Sequence, residues 1–242
     1  MNENYVDKYI DFNGKLTHRS ISRKILIIIF AGIKFLFDRV MAITGLVISL
    51  PLMIVIGIAI KLDSKGPVIF KQLRTGKNGK LFYIYKFRTM VQNNDVHDFS
   101  NSDKYTKIGK ILRKTSLDEI PQLISIAIGK MSFIGPRPWI PDYYENMNEI
   151  QKQRYNVRPG LTGLAQCMGR NNLTIFKKIE YDIMYIKNYS FIQDIKIIVL
   201  TIKSVFTCNG YEAGKETIKT ELTDLKQYNR QKISFEEIRW KF

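Results

Sequence analysis

From Val40 to Ile60 the chain runs for 21 residues without a charge, and this run restricts the fold more than any other feature. As a straight helix it would be about 31 Å long at roughly 1.5 Å per residue, enough to cross a bilayer core. Pro51 stands near its middle with Ser49 close by. A proline there removes a backbone donor and clashes with the carbonyl four residues earlier. Both flanks are basic, with Arg19, Arg23, Lys24, Lys34 and Arg39 before the run and Lys61, Lys65, Lys71 and Arg74 after it. Because Lys and Arg mark the cytoplasmic side of short loops, both ends belong on the cytoplasmic face, which a helix broken at Ser49 and Pro51 satisfies by entering and leaving one leaflet. A simple span is the competing reading. The polar stretch ahead of the run is long and no small-residue cleavage pattern follows, which argues against a cleavable signal. The apolar cluster over 25–30 reads as an interfacial lead-in, with Lys34 and Arg39 snorkelling to headgroups.

What surrounds this run is strongly basic: 38 Lys and Arg against 22 Asp and Glu give a net charge of +16. Such an excess points to a phosphate-bearing partner, whether nucleic acid, anionic lipid or nucleotide. Cys167 and Cys208 stand alone, so neither a disulfide framework nor a Cys-rich zinc site is indicated. The two histidines, His18 and His97, lie in polar stretches, which disfavours a His-activated nucleophile. Chemistry is left to carboxylates, Lys and Arg. No nucleic-acid motif appears, and nucleic-acid binding would leave the apolar run without a purpose.

Past the membrane segment, Pro67–Gln72 and Leu81–Arg88 read as two strands of a hairpin. Their loop, Gly76-Lys-Asn-Gly-Lys80, lacks P-loop spacing. Lys86 and Arg88 fall on one side of the second strand and call for an anion, or else form a solvated face. Residues 103–114 have helical spacing with a basic flank that includes Arg113. Two adjacent carboxylates follow, Asp118 and Glu119, in Ser116-Leu-Asp-Glu-Ile-Pro-Gln-Leu123. Ser116 and Glu119 also fit a capping box, a structural alternative for Glu119 that Pro121 complicates. Neighbours on a helix diverge by about 100°, so Asp118 and Glu119 must have different jobs. Two Arg-Pro turns come next, Gly135-Pro-Arg-Pro138 and Val157-Arg-Pro-Gly-Leu-Thr-Gly163. In the first, flanking prolines preorganise Arg137, whose planar guanidinium suits a phosphate. In the second, small residues would let backbone amides approach a ligand. Residues 173–187 and 190–206 read as amphipathic helices, the latter with Ile195, Ile198, Val199, Ile202, Val205 and Phe206 as its apolar stripe.

Together with Phe37-Asp38, Gly66-Pro-Val-Ile-Phe70, Tyr85-Lys-Phe-Arg-Thr-Met90, Asp182 and Tyr185-Ile-Lys-Asn188, these motifs resemble the bacterial sugar transferases, or monotopic phosphoglycosyl transferases. The resemblance covers about 33–206. It implies an α+β fold, mainly helical: a re-entrant membrane helix-break-helix plus a small cytoplasmic catalytic domain with a short β-hairpin and interfacial amphipathic helices. The boundaries expected are an N-terminal arm over 1–24, the membrane segment over 25–61, the catalytic domain over 62–208 and an accessory tail over 209–242. The implied reaction moves a sugar 1-phosphate from a UDP-sugar to polyprenyl (undecaprenyl) phosphate with release of UMP, at the cytoplasmic face of the bacterial inner membrane. By resemblance Asp118 is the nucleophile that forms a covalent phosphosugar intermediate, and Glu119 holds Mg2+. Lys86, Arg88, Arg113, Arg137, Arg158 and Asp182 fall on motif positions around the nucleotide and phosphates. Self-association is left open, as is the alternative of a non-enzymatic module that binds anionic lipid.

Overall fold

The computed structural model of the chain describes residues 21–91, 105–169, 173–206 and 218–239. Its dominant element is helix α1 (Ile21–Asp63), 43 residues long, or about 65 Å at 1.5 Å per residue. Where a helix-break-helix is expected, the helix continues through Pro51. Proline withdraws the amide that would bond the Val47 carbonyl. Close to that gap the Ser49 hydroxyl donates to the Leu46 carbonyl at 3.3 Å, a back-bond that helical serines commonly make. The break at Ser49 and Pro51 is therefore not expressed as a non-helical turn.

One face of α1 is packed nearly from end to end. Lys34, Asp38, Ala42, Ile56 and Ile60 are buried, whereas Ile33, Leu36, Phe37, Val47, Ile48, Val55 and Ile58 are more than half exposed. The buried face meets the globular domain at each stage. Phe30 lies 5.0 Å from the Tyr189 ring, Lys34 Nζ is 2.6 Å from Asp194 Oδ2, and Asp38 accepts the Ser132 hydroxyl at 2.6 Å. Further along, Ile56 and Ile60 pack with Phe87 and Leu112. The exposed face is too apolar and too long for a water-soluble surface, which supports association with a membrane.

The expected hairpin is present as β1 (Ile69–Thr75) and β2 (Leu81–Phe87), antiparallel with Gln72 opposite Ile84. Phe82 and Ile84 turn inward against Ala42 and Ile126, as alternation requires. Helix α2 (Lys107–Thr115) starts at a Thr106 cap that accepts the Gly109 amide, and the Asp63 carboxylate takes the Ile108 amide at 2.9 Å. After it come a 3-10 helix over Leu117–Gln122, α3 (Leu123–Ala127), β3 (Ser132–Ile134), α4 (Pro141–Glu145) and α5 (Glu149–Lys152). A second 3-10 turn over Gln153–Tyr155 leads to β4 (Gly160–Thr162), α6 (Leu164–Met168), α7 (Ile175–Lys187) and α8 (Phe191–Phe206).

The apolar stripe predicted for α8 faces outward: Ile195, Val199 and Ile202 are exposed, while Asp194 and Ile197 are buried. The last described helix, α9 (Ile218–Arg239), falls within the segment read as an accessory tail. It nevertheless places Leu225 in the largest core cluster, with Trp139, Tyr143, Tyr155 and Ile179, and Glu221 accepts from Lys178 and from the Tyr143 hydroxyl.

Candidate active site

Asp118 and Glu119 ride on the 3-10 helix that follows α2. Ser116 reverses the chain between the two helices in the left-handed region (φ 58°). Its hydroxyl caps nothing, so the capping box does not form. Glu119 is engaged elsewhere. Its Oε1 accepts from Lys86 Nζ at 2.6 Å and from Arg137 at 2.8 Å, joining the β2 strand and the first Arg-Pro turn to the 3-10 helix. With two cations on one oxygen, the Glu119 carboxyl is held well below the usual carboxylate range despite a burial effect that opposes it. Burial in turn lowers the Lys86 ammonium, an effect the Glu119 charge partly offsets.

Asp118 is treated differently by the same surroundings. It is 6% exposed, and no hydrogen bond reaches its carboxylate among the described residues. Burial raises its proton affinity, and the charges of Lys86, Arg113 and Arg137 counter this. The adjacent acids are thus separated: Glu119 is neutralised and fixed, while Asp118 is desolvated, unbonded and set in a cationic field. A desolvated carboxylate with free lone pairs is suited to nucleophilic attack on a phosphorus whose oxygens those cations hold.

The two Arg-Pro turns are one structural unit. Strands β3 and β4 pair in parallel, Ser132 with Gly160 and Ile134 with Thr162. The Ser132 amide bonds the Pro159 carbonyl, and the Gly160 amide bonds the Pro136 carbonyl, both at 2.9 Å. The glycines make this approach possible. A Cβ on Gly160 would stand 2.1 Å from the Gly135 nitrogen, so the close approach expected to serve a ligand is taken up by the facing backbone. A buried arginine fixes the unit from behind. Arg154 is 1% exposed, donates to Asp182 Oδ2 at 2.7 and 2.9 Å and to the Arg137 carbonyl at 2.8 Å, and lies 3.6 Å from the centre of the Trp139 ring.

A family profile described as bacterial sugar transferase matches residues 29–208, a stretch that holds most of α1, the acid pair and both Arg-Pro turns. The chain belongs to the bacterial sugar transferase family. It is 40% identical over 182 residues to the uncharacterized sugar transferase EpsL of Bacillus subtilis, covering 74% of this chain and 90% of that one. Against the UDP-glucose:undecaprenyl-phosphate glucose-1-phosphate transferase of Klebsiella pneumoniae it is 41% identical over 187 residues, 71% of this chain but 40% of that protein. Against the UDP-N-acetylgalactosamine-undecaprenyl-phosphate N-acetylgalactosaminephosphotransferase of Aeromonas hydrophila the identity is 38% over 194 residues, 75% of this chain and 45% of that protein. The chain therefore spans nearly all of one relative and less than half the length of the other two.

In this sugar transferase the site residues expected from sequence separate into groups. Lys86 and Arg137 converge on Glu119, and Arg113, stacked 4.7 Å from the Tyr105 ring, adds its charge at Asp118. Arg88 does not join them. It lies beyond the end of β2, 7% exposed, and its guanidinium binds the Ser64 and Lys65 carbonyls at 2.7 and 2.8 Å, closing the C-terminal end of α1. Asp182, at 1% exposure, is out of reach of a substrate and acts through Arg154. Arg158 stacks on Phe35 of α1 at 3.9 Å. Two contributors escaped the sequence reading. Arg154 has no motif of its own, and nothing in the sequence ties it to Asp182, 28 positions later. Arg74, at the end of β1, reaches the Pro138 carbonyl at 3.3 Å, and burial and Arg137 lower it to about 10.

No group of three metal-ligating side chains occurs among the described residues. Mg2+ takes one or two carboxylates and completes its octahedron with water and substrate phosphates, so its fit is judged on Glu119 and Asp118 alone. Glu119 fits this role through Oε2, which makes no hydrogen bond among the described residues, and Asp118 offers a further unbonded carboxylate.

Proposed function

We propose that the chain transfers a sugar 1-phosphate from a UDP-sugar to polyprenyl phosphate, releasing UMP and initiating assembly of a polysaccharide or glycoconjugate. The observation that carries this reading is the unbonded, buried Asp118 beside Glu119, whose Oε1 is held by both Lys86 and Arg137. An Asp118 oxygen attacks the sugar-bearing phosphorus. The bond from that phosphorus to the bridging oxygen breaks, and UMP leaves with the oxygen. The resulting aspartyl phosphosugar is opened when an oxygen of the polyprenyl phosphate attacks the same phosphorus, which frees Asp118 and gives a polyprenyl diphosphate sugar. Lys86, Arg113 and Arg137 hold the phosphates, with Arg154, Asp182 and Arg88 supporting their positions. Bound at Glu119, Mg2+ would neutralise the diphosphate and its leaving group.

The acceptor is a lipid, and α1 brings the site to the depth of its phosphate. We assign both ends of α1 to the cytoplasmic face, because the same globular domain packs on the helix at Lys34 and again at Ile60; a straight span would draw that domain into the hydrocarbon. Relatives named for glucose and for N-acetylgalactosamine match at 41% and 38% identity, so the sugar is a question for experiment.

Purified protein with Mg2+, undecaprenyl phosphate and a panel of UDP-sugars is expected to release UMP from one or a few of them, and Asp118→Asn to stop it. Release unaffected by that change would remove Asp118 as nucleophile. No release from any UDP-sugar would favour a lipid-binding module. Cysteine labelling near Arg19 and Lys71 is expected on one side of the membrane, and opposite sides would refute the topology.

A further inference from the structure

Two guanidiniums share one aromatic ring at the edge of α1. Arg39 lies 3.8 Å and Arg158 3.9 Å from the centre of the Phe35 ring. Phe35 and Arg39 are one turn apart on the helix, and Arg158 arrives from the second Arg-Pro turn. Neither is in an ion pair among the described residues. Arg39 reaches the Ile128 carbonyl only at 3.5 Å, and Arg158 donates through Nε to the Gly129 carbonyl at 3.2 Å. The terminal nitrogens of Arg158 have no protein partner among the described residues. Gly129, in the left-handed region (φ 76°), is needed for this approach, since a Cβ there would stand 2.4 Å from an Arg39 nitrogen. Asp38 and Tyr189 are the other charged or titratable groups acting on Arg158, but Asp38 is 5% exposed and already accepts the Ser132 hydroxyl. Two cations facing one engaged carboxylate leave an uncompensated positive charge, with a planar fork of donors unused.

The rim is apolar. Leu36, next to Phe35 on α1, and Ile128, whose carbonyl faces Arg39, are 66% and 54% exposed, and the exposed Lys130 follows in the same loop. A fork of free guanidinium donors matches a phosphate, and an apolar rim on a membrane-facing helix matches the chain attached to it. We propose that Arg39 and Arg158, mounted on Phe35, form a seat for the phosphate headgroup of a lipid. It is distinct from the cluster at Glu119, where Lys86 and Arg137 act. Arg158 nevertheless belongs to the turn hydrogen-bonded to that of Arg137, so the seat adjoins the donor site. Its use by the acceptor lipid rests on the transferase reading; its affinity for a lipid phosphate does not.

The test is direct binding to the full-length, delipidated protein in non-ionic detergent, titrated separately with a short-chain isoprenyl monophosphate, the matching isoprenol and phosphatidylglycerol. The wild type is expected to bind the monophosphate at least about tenfold more tightly than the alcohol, and the Arg39→Gln/Arg158→Gln pair to erase that preference. The Arg39→Lys/Arg158→Lys pair keeps the charge and loses the fork; it guards against misfolding and should retain part of the preference. Phosphatidylglycerol binding as tightly, with the same loss in the variants, would support a seat supplied by bilayer phospholipid. Selective binding of the monophosphate would support one supplied by the acceptor. Wild-type affinity in both double variants would overturn the seat. UMP release without acceptor lipid is measured separately, so failure of the transferase reading is recognised independently.

Discussion

Glu119→Gln tests the division of labour between the two acids most sharply. It preserves shape and removes the charge that Lys86 and Arg137 share. Breaking a buried pair by neutralising one partner costs about 3–5 kcal/mol. Here the Lys86 and Glu119 side chains keep 19% exposure and Arg137 43%, and burial already lowers the Lys86 ammonium, which can shed its proton. Both effects reduce the loss, to about 2–3 kcal/mol near neutral pH. The pH dependence has a definite sign. The folded Glu119 carboxyl sits below its unfolded value, taken as about 4.3. Its stabilisation is therefore complete above that value and is lost as pH falls towards the folded one. The gap between wild type and Glu119→Gln should be constant from about pH 7 to pH 5.5, then close by about 1.4 kcal/mol for each further unit below about pH 4.3. Thermal unfolding of both proteins in detergent across this range measures it. A gap that is absent at pH 7, or that stays constant down to pH 3.5, would refute the claim that charge pairing holds Glu119.

Asp118→Asn should do the opposite to stability while ending turnover. Burial raises the folded Asp118 carboxyl, so its penalty is absent in acid and appears as pH rises through the folded value; the variant should melt with the wild type at low pH and above it near pH 7. Asp182→Asn leaves Arg154 buried without a counter-charge, at a cost of about 3–5 kcal/mol. In protein that remains folded, the loosened Arg137 should raise KM for the UDP-sugar, and an unchanged KM would count against the positioning role. Gly160→Ala drives a Cβ to 2.1 Å from the Gly135 nitrogen, and chemical denaturation should register a loss at the upper end of about 1–3 kcal/mol.

Local rules were sufficient for the hairpin, for α2 and α7 and for the apolar run, since each is written in alternation, caps or an absence of charge. They failed where two distant segments share a contact. Ser116 and Glu119 have the spacing of a capping box, yet a left-handed Ser116 turns its backbone away and two cations from other elements take the carboxylate. The glycines of the second Arg-Pro turn looked like room for a ligand because sequence does not reveal that the first turn's backbone occupies it. Arg154 was invisible for the same reason: its partners are Asp182, Trp139 and a carbonyl, none of which announces an arginine.

The unexpected continuity of α1 bears on how depth is set. A charged run at each end can be placed on one face without a break if the helix is held along its length by the domain it serves. The contacts at Phe30, Lys34, Asp38, Ala42, Ile56 and Ile60 hold α1 against the domain in this way, and the proposed topology rests on them. The same face that buries Asp38 against Ser132 delivers Phe35 and Arg39 to Arg158, so β3 and β4, which carry the two Arg-Pro turns, are tied directly to the membrane helix. Polar contacts such as Lys34 with Asp194 would be costly in hydrocarbon unless paired, and each is paired on the domain side of α1. In the proposed topology the helix would do more than attach the domain: through Asp38 and Phe35 it would also set the height of the Arg-Pro turns, and with them of Arg137, relative to the lipid phosphates.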